Sequence, residues 1–127
     1  GLPKGTSGLL TSGASAANLI GLTVARNARA GYDVRGDGVR AAPGPLVAYA
    51  SAEVHSSNHK AVETLGLGRD GLRAVPVGPD YRIDLAVLER QVAEDRAAGA
   101  VPFCVIGNAG TINTGAIDDL PALADLC

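Results

Sequence analysis

Three short polar segments carry the side chains best suited to chemistry: Thr11-Ser12-Gly13-Ala14-Ser15, His55-Ser56-Ser57 and Gly110-Thr111. The first runs directly into the helix-forming stretch Ala16 to Arg26. A helix beginning there leaves backbone N–H groups without intrahelical partners, and the helix dipole places partial positive charge on them. Side chains no larger than Gly13, Ala14 and Ser15 let a phosphate approach those amides closely, and the Ser15 hydroxyl adds one more donor. The competing reading is structural: Ser12 or Ser15 turns its own oxygen onto the first-turn amides as a cap, the commoner role of a lone serine at a helix start.

His55 follows the apolar run Leu46 to Ser51 and precedes a helical stretch, Ser56 to Leu65. That order puts an imidazole at the carboxyl edge of a strand, where it can stack on a planar ring. Taken singly, such a histidine more often has a structural role; its place between Ser15 and Thr111 in a repeating strand and helix order raises the functional reading. Together the three segments outline a pocket for a flat, phosphorylated molecule.

The elements that must position these residues are legible in outline. A helix from about Ala14 closes near Gly31, where a C-cap glycine belongs. Tyr32 to Pro45 lacks periodicity and reads as loop; Leu46 to Ser51 reads as a buried strand. Leu72 to Val77 is the next strand, with Pro76 marking an edge or an end. Asp84 caps a helix in which Leu85, Leu88 and Val92 recur on one face and which Gly99 closes. Pro102 to Ile106 is a further buried strand, Gly107 to Gly115 a polar turn, and Asp118 or Asp119 caps a last helix that tolerates Pro121 in its first turn. Strands alternating with helices imply an α/β fold with a mainly parallel sheet flanked by helices, and ligands in such folds bind outside the strand carboxyl ends.

Composition narrows the classes. The 127 residues are 46% apolar but only 3% aromatic, so the core is built from Ala, Val, Leu and Ile. Net charge is −2, with nine Arg and two Lys scattered along the chain, which leaves no electrostatic footprint for nucleic acid or an anionic membrane. No apolar run reaches the roughly 18 residues that span a bilayer, and no signal-peptide pattern opens the chain, so a cytoplasmic location is expected. Cys104 and Cys127 form no CxxC pair and are expected to be buried thiols. The helical pattern of Leu120 to Cys127 has no stop signal, which suggests a domain truncated at its C-terminus.

Other motifs are decoys. Gly66 to Gly71 matches GxGxxG but follows a helix and precedes a strand, the reverse of the dinucleotide-binding order; Gly36 to Ala41 fits the looser GxGxxA form with no strand before it. No GxxxxGK[ST] is present. His55 and His59 have the spacing of paired zinc ligands, but neither a third ligand nor HExxH accompanies them, so no metal is expected.

Four motifs in order give a more specific signal: Thr11 to Leu19; Ser51-Ala52-Glu53-Val54-His55-Ser56-Ser57 with Lys60-Ala61; Leu65-Gly66-Leu67-Gly68; and Gly110 to Asp118. On these the chain resembles the group II pyridoxal-phosphate-dependent decarboxylases of fold type I, which include aromatic-amino-acid, histidine and glutamate decarboxylases. The resemblance spans essentially all of residues 1–127 and implies part of a transferase-like, cofactor-binding large domain. It implies pyridoxal 5′-phosphate as cofactor, with Ala14 and Ser15 on its phosphate, His55 as the catalytic residue stacked on its ring, and Thr111 beside it. It also implies removal of the α-carboxylate of an L-amino acid, aromatic as a first guess, to give an amine and carbon dioxide, in a homodimer.

Ala16 departs from the family, whose members usually carry Glu there. The family's lysine that links the cofactor, and its aspartate for the pyridine nitrogen, are expected beyond Cys127; neither Lys4 nor Lys60 replaces that lysine, and the segment alone is expected to be inactive. The same phosphate cup and histidine also serve aldehyde synthases, carbon-carbon lyases and aminotransferases, and a non-catalytic domain is a further alternative.

Overall fold

The computed structural model describes residues 4–127; residues 1–3 of the inferred domain lie outside it. Helix α1 spans Ala14–Arg29 and is followed by a short helix α2, Val34–Asp37. Strand β1 (Leu46–Ser51), helix α3 (Ser56–Thr64), strand β2 (Leu72–Val75), helix α4 (Leu85–Ala97), strand β3 (Val101–Ile106) and helix α5 (Leu120–Leu126) complete the order.

The three strands form one parallel sheet in the order β2-β1-β3, as the alternation of elements implies. All six residues of β1 are buried because it is the central strand. Its side chains alternate between two cores. Leu46, Ala48 and Ala50 pack with Leu22 of α1 and Ala61 and Val62 of α3, whereas Val47 and Tyr49 pack with Leu88 of α4 and Leu123 of α5. The crossover through α3 steps from β1 to one neighbour and the crossover through α4 steps back past β1 to the other, on opposite faces, as right-handed connections require.

Several local expectations are met and others corrected. Asp84 accepts from the Val87 amide and caps α4, and Gly31 and Gly99 take left-handed φ values of 80° and 84° just past their helices. Strand β2 stops at Val75, before Pro76, and Val77 instead forms an isolated antiparallel bridge with Ile83. The stretch 32–45 is not featureless loop: Asp33 accepts from the Arg35 and Gly36 amides and starts α2, a helix too short to show periodicity. The cysteines are not both buried. Cys104 is half-buried because β3 lies at the sheet edge, and Cys127 is exposed at the end of α5. Burial still pushes the Cys104 thiol pKa up.

Candidate functional site

Helices α1 and α3 lie side by side and run the same way. Asn18 Nδ2 donates to Ser57 Oγ at 2.9 Å near both N-termini, and Arg26 Nη1 donates to the Leu65 carbonyl at 3.2 Å, eight residues further along each helix. Two positive dipole ends therefore emerge together.

At the start of α1 the N-cap is Gly13, and no side chain caps it. The serine-cap reading is thus corrected: the Thr11 hydroxyl donates to the Gly13 carbonyl at 3.0 Å, and Ser15 lies inside the first turn, exposed. The first intrahelical donor is Ala17, bonded to Gly13 O at 3.1 Å, so the amides of Ala14, Ser15 and Ala16 precede the ladder. A Cβ on Gly13 would meet nothing within 4 Å, so the approach to those amides is open. Ser15 and Ala16 share a depression with Ser57 and Lys60 of α3.

His55 is the N-cap of α3. Its Nδ1 accepts from the Ser57 amide at 3.2 Å and lies 2.8 Å from Ser57 Oγ. Because Nδ1 already accepts from the Ser57 amide it carries no proton, so the Ser57 hydroxyl, which accepts from Asn18, donates to it, and this network assigns the imidazole proton to Nε2. The ring is exposed, yet fixed from α1 through one serine. Asn18 and Ser57 both fall within the sequence motifs, but the sequence gives neither of them a role of its own. A polar residue within the packing face of α1, beside Leu19 and Leu22, is the signal that points to Asn18.

Thr111 sits in the loop after β3 and is 8% exposed; its Oγ1 lies 2.6 Å from Thr114 Oγ1. No hydrogen bond joins it to Ser15 or His55 among the described residues. The loop reaches the same sheet edge through other residues: Asn108 Nδ2 donates to Ser51 Oγ at 3.0 Å, and Asn113 Nδ2 to Glu53 Oε2 at 3.4 Å, two residues before His55. The structure thus joins the Ser15 and His55 segments directly and brings the Thr111 segment to the end of β1. His59, half-buried on α3, belongs to no cluster of metal ligands among the described residues.

Uncapped amides with small residues at their approach and an exposed imidazole lie at the same end of the sheet, the groups that a phosphorylated aromatic ring calls for. That chemistry and the parallel three-layer fold define a cofactor-binding α/β domain. Residues 1–127 match the pyridoxal-dependent decarboxylase conserved domain throughout, and the chain belongs to that family. The family's cofactor is pyridoxal phosphate, whose anionic and flat aromatic parts match the chemistry of these amides and this imidazole. The chain is 41% identical over 127 residues to an aromatic-L-amino-acid decarboxylase of Bacillus atrophaeus, covering all of this chain and 25% of that protein. It is 39% identical over 121 residues to a human cysteine sulfinic acid decarboxylase, covering 94% of this chain and 24% of that one. The crystal structure of mouse CSAD superposes with a TM-score of 0.88 at 38% identity, over 94% of this chain and 24% of that one. The chain therefore spans about a quarter of the length of these relatives.

Proposed function

We propose that the full-length protein removes the α-carboxylate of an L-amino acid, aromatic for preference, giving an amine and carbon dioxide, and that it works as a homodimer. The observation that carries this reading is the convergence of the α1 and α3 N-termini at one end of the sheet in a chain that matches the family along its whole length. The aromatic preference is supported by the 41% identity to the Bacillus atrophaeus protein.

In this reading the amides at the start of α1, with Ala14 and the Ser15 hydroxyl, hold the cofactor phosphate. His55 lies against the cofactor ring, and Thr111 flanks it from the loop after β3. When bound, the cofactor supplies an electron-withdrawing ring that takes up the electron pair left as the carboxylate departs. The chain's own contribution is orientation. Ser57, held by Asn18, occupies His55 Nδ1, so the imidazole keeps one plane and presents Nε2–H as its free donor.

The test supplies full-length protein and pyridoxal phosphate with an aromatic amino acid, cysteine sulfinate or glutamate in turn. Carbon dioxide and arylalkylamine in equal amounts are expected from the aromatic substrate, at a kcat/KM at least tenfold above the others. Ammonia with an aldehyde would overturn decarboxylation, and a preference for cysteine sulfinate or glutamate would overturn the aromatic assignment.

A further inference from the structure

Asp118 is 3% exposed and pairs with no cation among the described residues. Burying a carboxylate in this way is costly unless its oxygens are fully bonded. Here they are: Oδ1 accepts from the Ile83 amide at 2.8 Å, and Oδ2 accepts from the Asn108 amide at 2.8 Å and Asn108 Nδ2 at 3.1 Å. The Asp118 amide returns a bond of 2.9 Å to the Asn108 carbonyl. Asn108 Nδ2 also reaches Ser51 Oγ at the end of β1.

Asn108 and Asp118 are the two ends of the segment that carries Thr111. Between them the chain folds back as a small hairpin: Ala109 bridges Ile117, the Gly110 and Thr111 amides both donate to the Ala116 carbonyl, and the Gly115 amide donates to the Thr111 carbonyl. Gly110 and Gly115 turn its corners at φ 104° and 70°. Asp119, not Asp118, caps α5, accepting from the Ala122 amide at 3.0 Å. Asp118 is therefore free of the capping role and closes the neck of the hairpin, anchoring it to β1 through Asn108 and to the segment before α4 through Ile83.

We infer that Asp118, acting through Asn108, is the positioning residue that holds the Thr111 hairpin in register with the His55 end of β1, and so sets the cofactor-contacting place of Thr111. This rests on the function proposed above for Thr111. A charged acceptor suits the task, because bonds from amides to a carboxylate are about twice as strong as neutral ones and bring the far side of the hairpin to a fixed point.

The experiment compares full-length wild type with Asp118→Ala, Asn108→Ala and Asp95→Asn. Asn108→Ala keeps every backbone bond at the neck and serves if Asp118→Ala fails to fold. Asp95 belongs to a separate network on the α4 side, and its variant controls for general loss of stability. In the cofactor-free proteins, amide hydrogen exchange at Gly110, Thr111 and Gly115 is expected to speed up at least tenfold in the neck variants but not in Asp95→Asn. In the loaded proteins, the neck variants are expected to weaken pyridoxal phosphate binding at least tenfold and to change the visible circular dichroism of the bound cofactor at saturation.

Exchange at those three amides within twofold of wild type would overturn the inference, as would faster exchange with unchanged cofactor affinity and dichroism. Wild type that takes up no pyridoxal phosphate would instead overturn the cofactor reading, and the exchange measurement would still decide whether Asp118 holds the hairpin.

Discussion

Two polar networks lie on opposite faces of the central sheet, one tying strands to a helix and the other tying two helices together, and they are built from opposite materials. On the α4 face, Tyr49 Oη donates to Asp95 Oδ2 at 2.8 Å, and Arg73 grips the same carboxylate with Nε at 3.1 Å and Nη2 at 2.9 Å. On the α1 face, Asn18, Ser57 and His55 make a neutral relay that ends in an exposed ring. The first joins β1 and β2 to α4 with formal charges around a fully buried tyrosine. The second spends no formal charge and leaves a ring edge open. One network secures the sheet; the other aims a side chain.

The largest expected effect separates these roles by cutting the charged network. Asp95→Ala strands the Tyr49 hydroxyl at 0% exposure and removes the Arg73 partner, so denaturant unfolding should show a loss of about 3 kcal/mol. Cofactor affinity of the folded fraction should stay within twofold of wild type.

The second effect comes from His55. Replacing it with Ala removes the α3 cap and should cost about 1 kcal/mol, whereas His55→Asn keeps a capping acceptor and should cost less than about half of that. Both should weaken pyridoxal phosphate binding equally, since both lose the ring. Equal stability with unequal binding in a paired titration and melt would blur the contrast between the networks.

Titration sharpens it further. The Arg73 guanidinium, aided by the Tyr49 hydrogen bond, holds the Asp95 carboxyl below its ordinary pKa, while burial first and the Asp95 hydrogen bond second push the Tyr49 phenol well above its ordinary value. The Asp95 contribution is complete above about pH 4 and is lost as pH falls through its lowered value; that of Tyr49 is complete below about pH 10 and is lost as pH rises through its raised value. Stability measured by denaturant should therefore decline outside that window, and Tyr49→Phe should flatten the alkaline limb and, by removing one hydrogen bond to Asp95, weaken the acid limb to a smaller extent.

The smallest effect is at Gly13. Gly13→Asp supplies the side-chain cap that α1 lacks, with open space for it, and should stabilise the helix by a few tenths of a kcal/mol. The same carboxylate should compete with phosphate for the first-turn amides, so thermal melting should rise slightly while cofactor affinity falls.

Much of the scaffold is legible from the sequence because local signals and tertiary packing agree. Leu46 to Ala50 is continuously apolar and falls in the central strand; Asp84, the Leu88 stripe and Gly99 bound α4 within a residue or two. The site is half legible. Small residues at a helix start and a histidine after a strand are patterns along the chain, so Ser15 and His55 stand out. The Asn18 to Ser57 bond spans 39 residues and the Asn108 to Ser51 bond spans 57, and single polar residues leave no periodicity from which to pair them. The doubled Asp118-Asp119 was the available clue, since one helix start needs one cap and the second carboxylate calls for another use.

The bare start of α1 has an evolutionary consequence. Main-chain amides are encoded by no particular codon, so replacing any one side chain there leaves their hydrogens in place, except where proline removes one. On the function proposed above, a lineage could therefore vary its substrate walls while the anion grip survives, which suits a scaffold shared by relatives named for aromatic and for sulfinic amino acids.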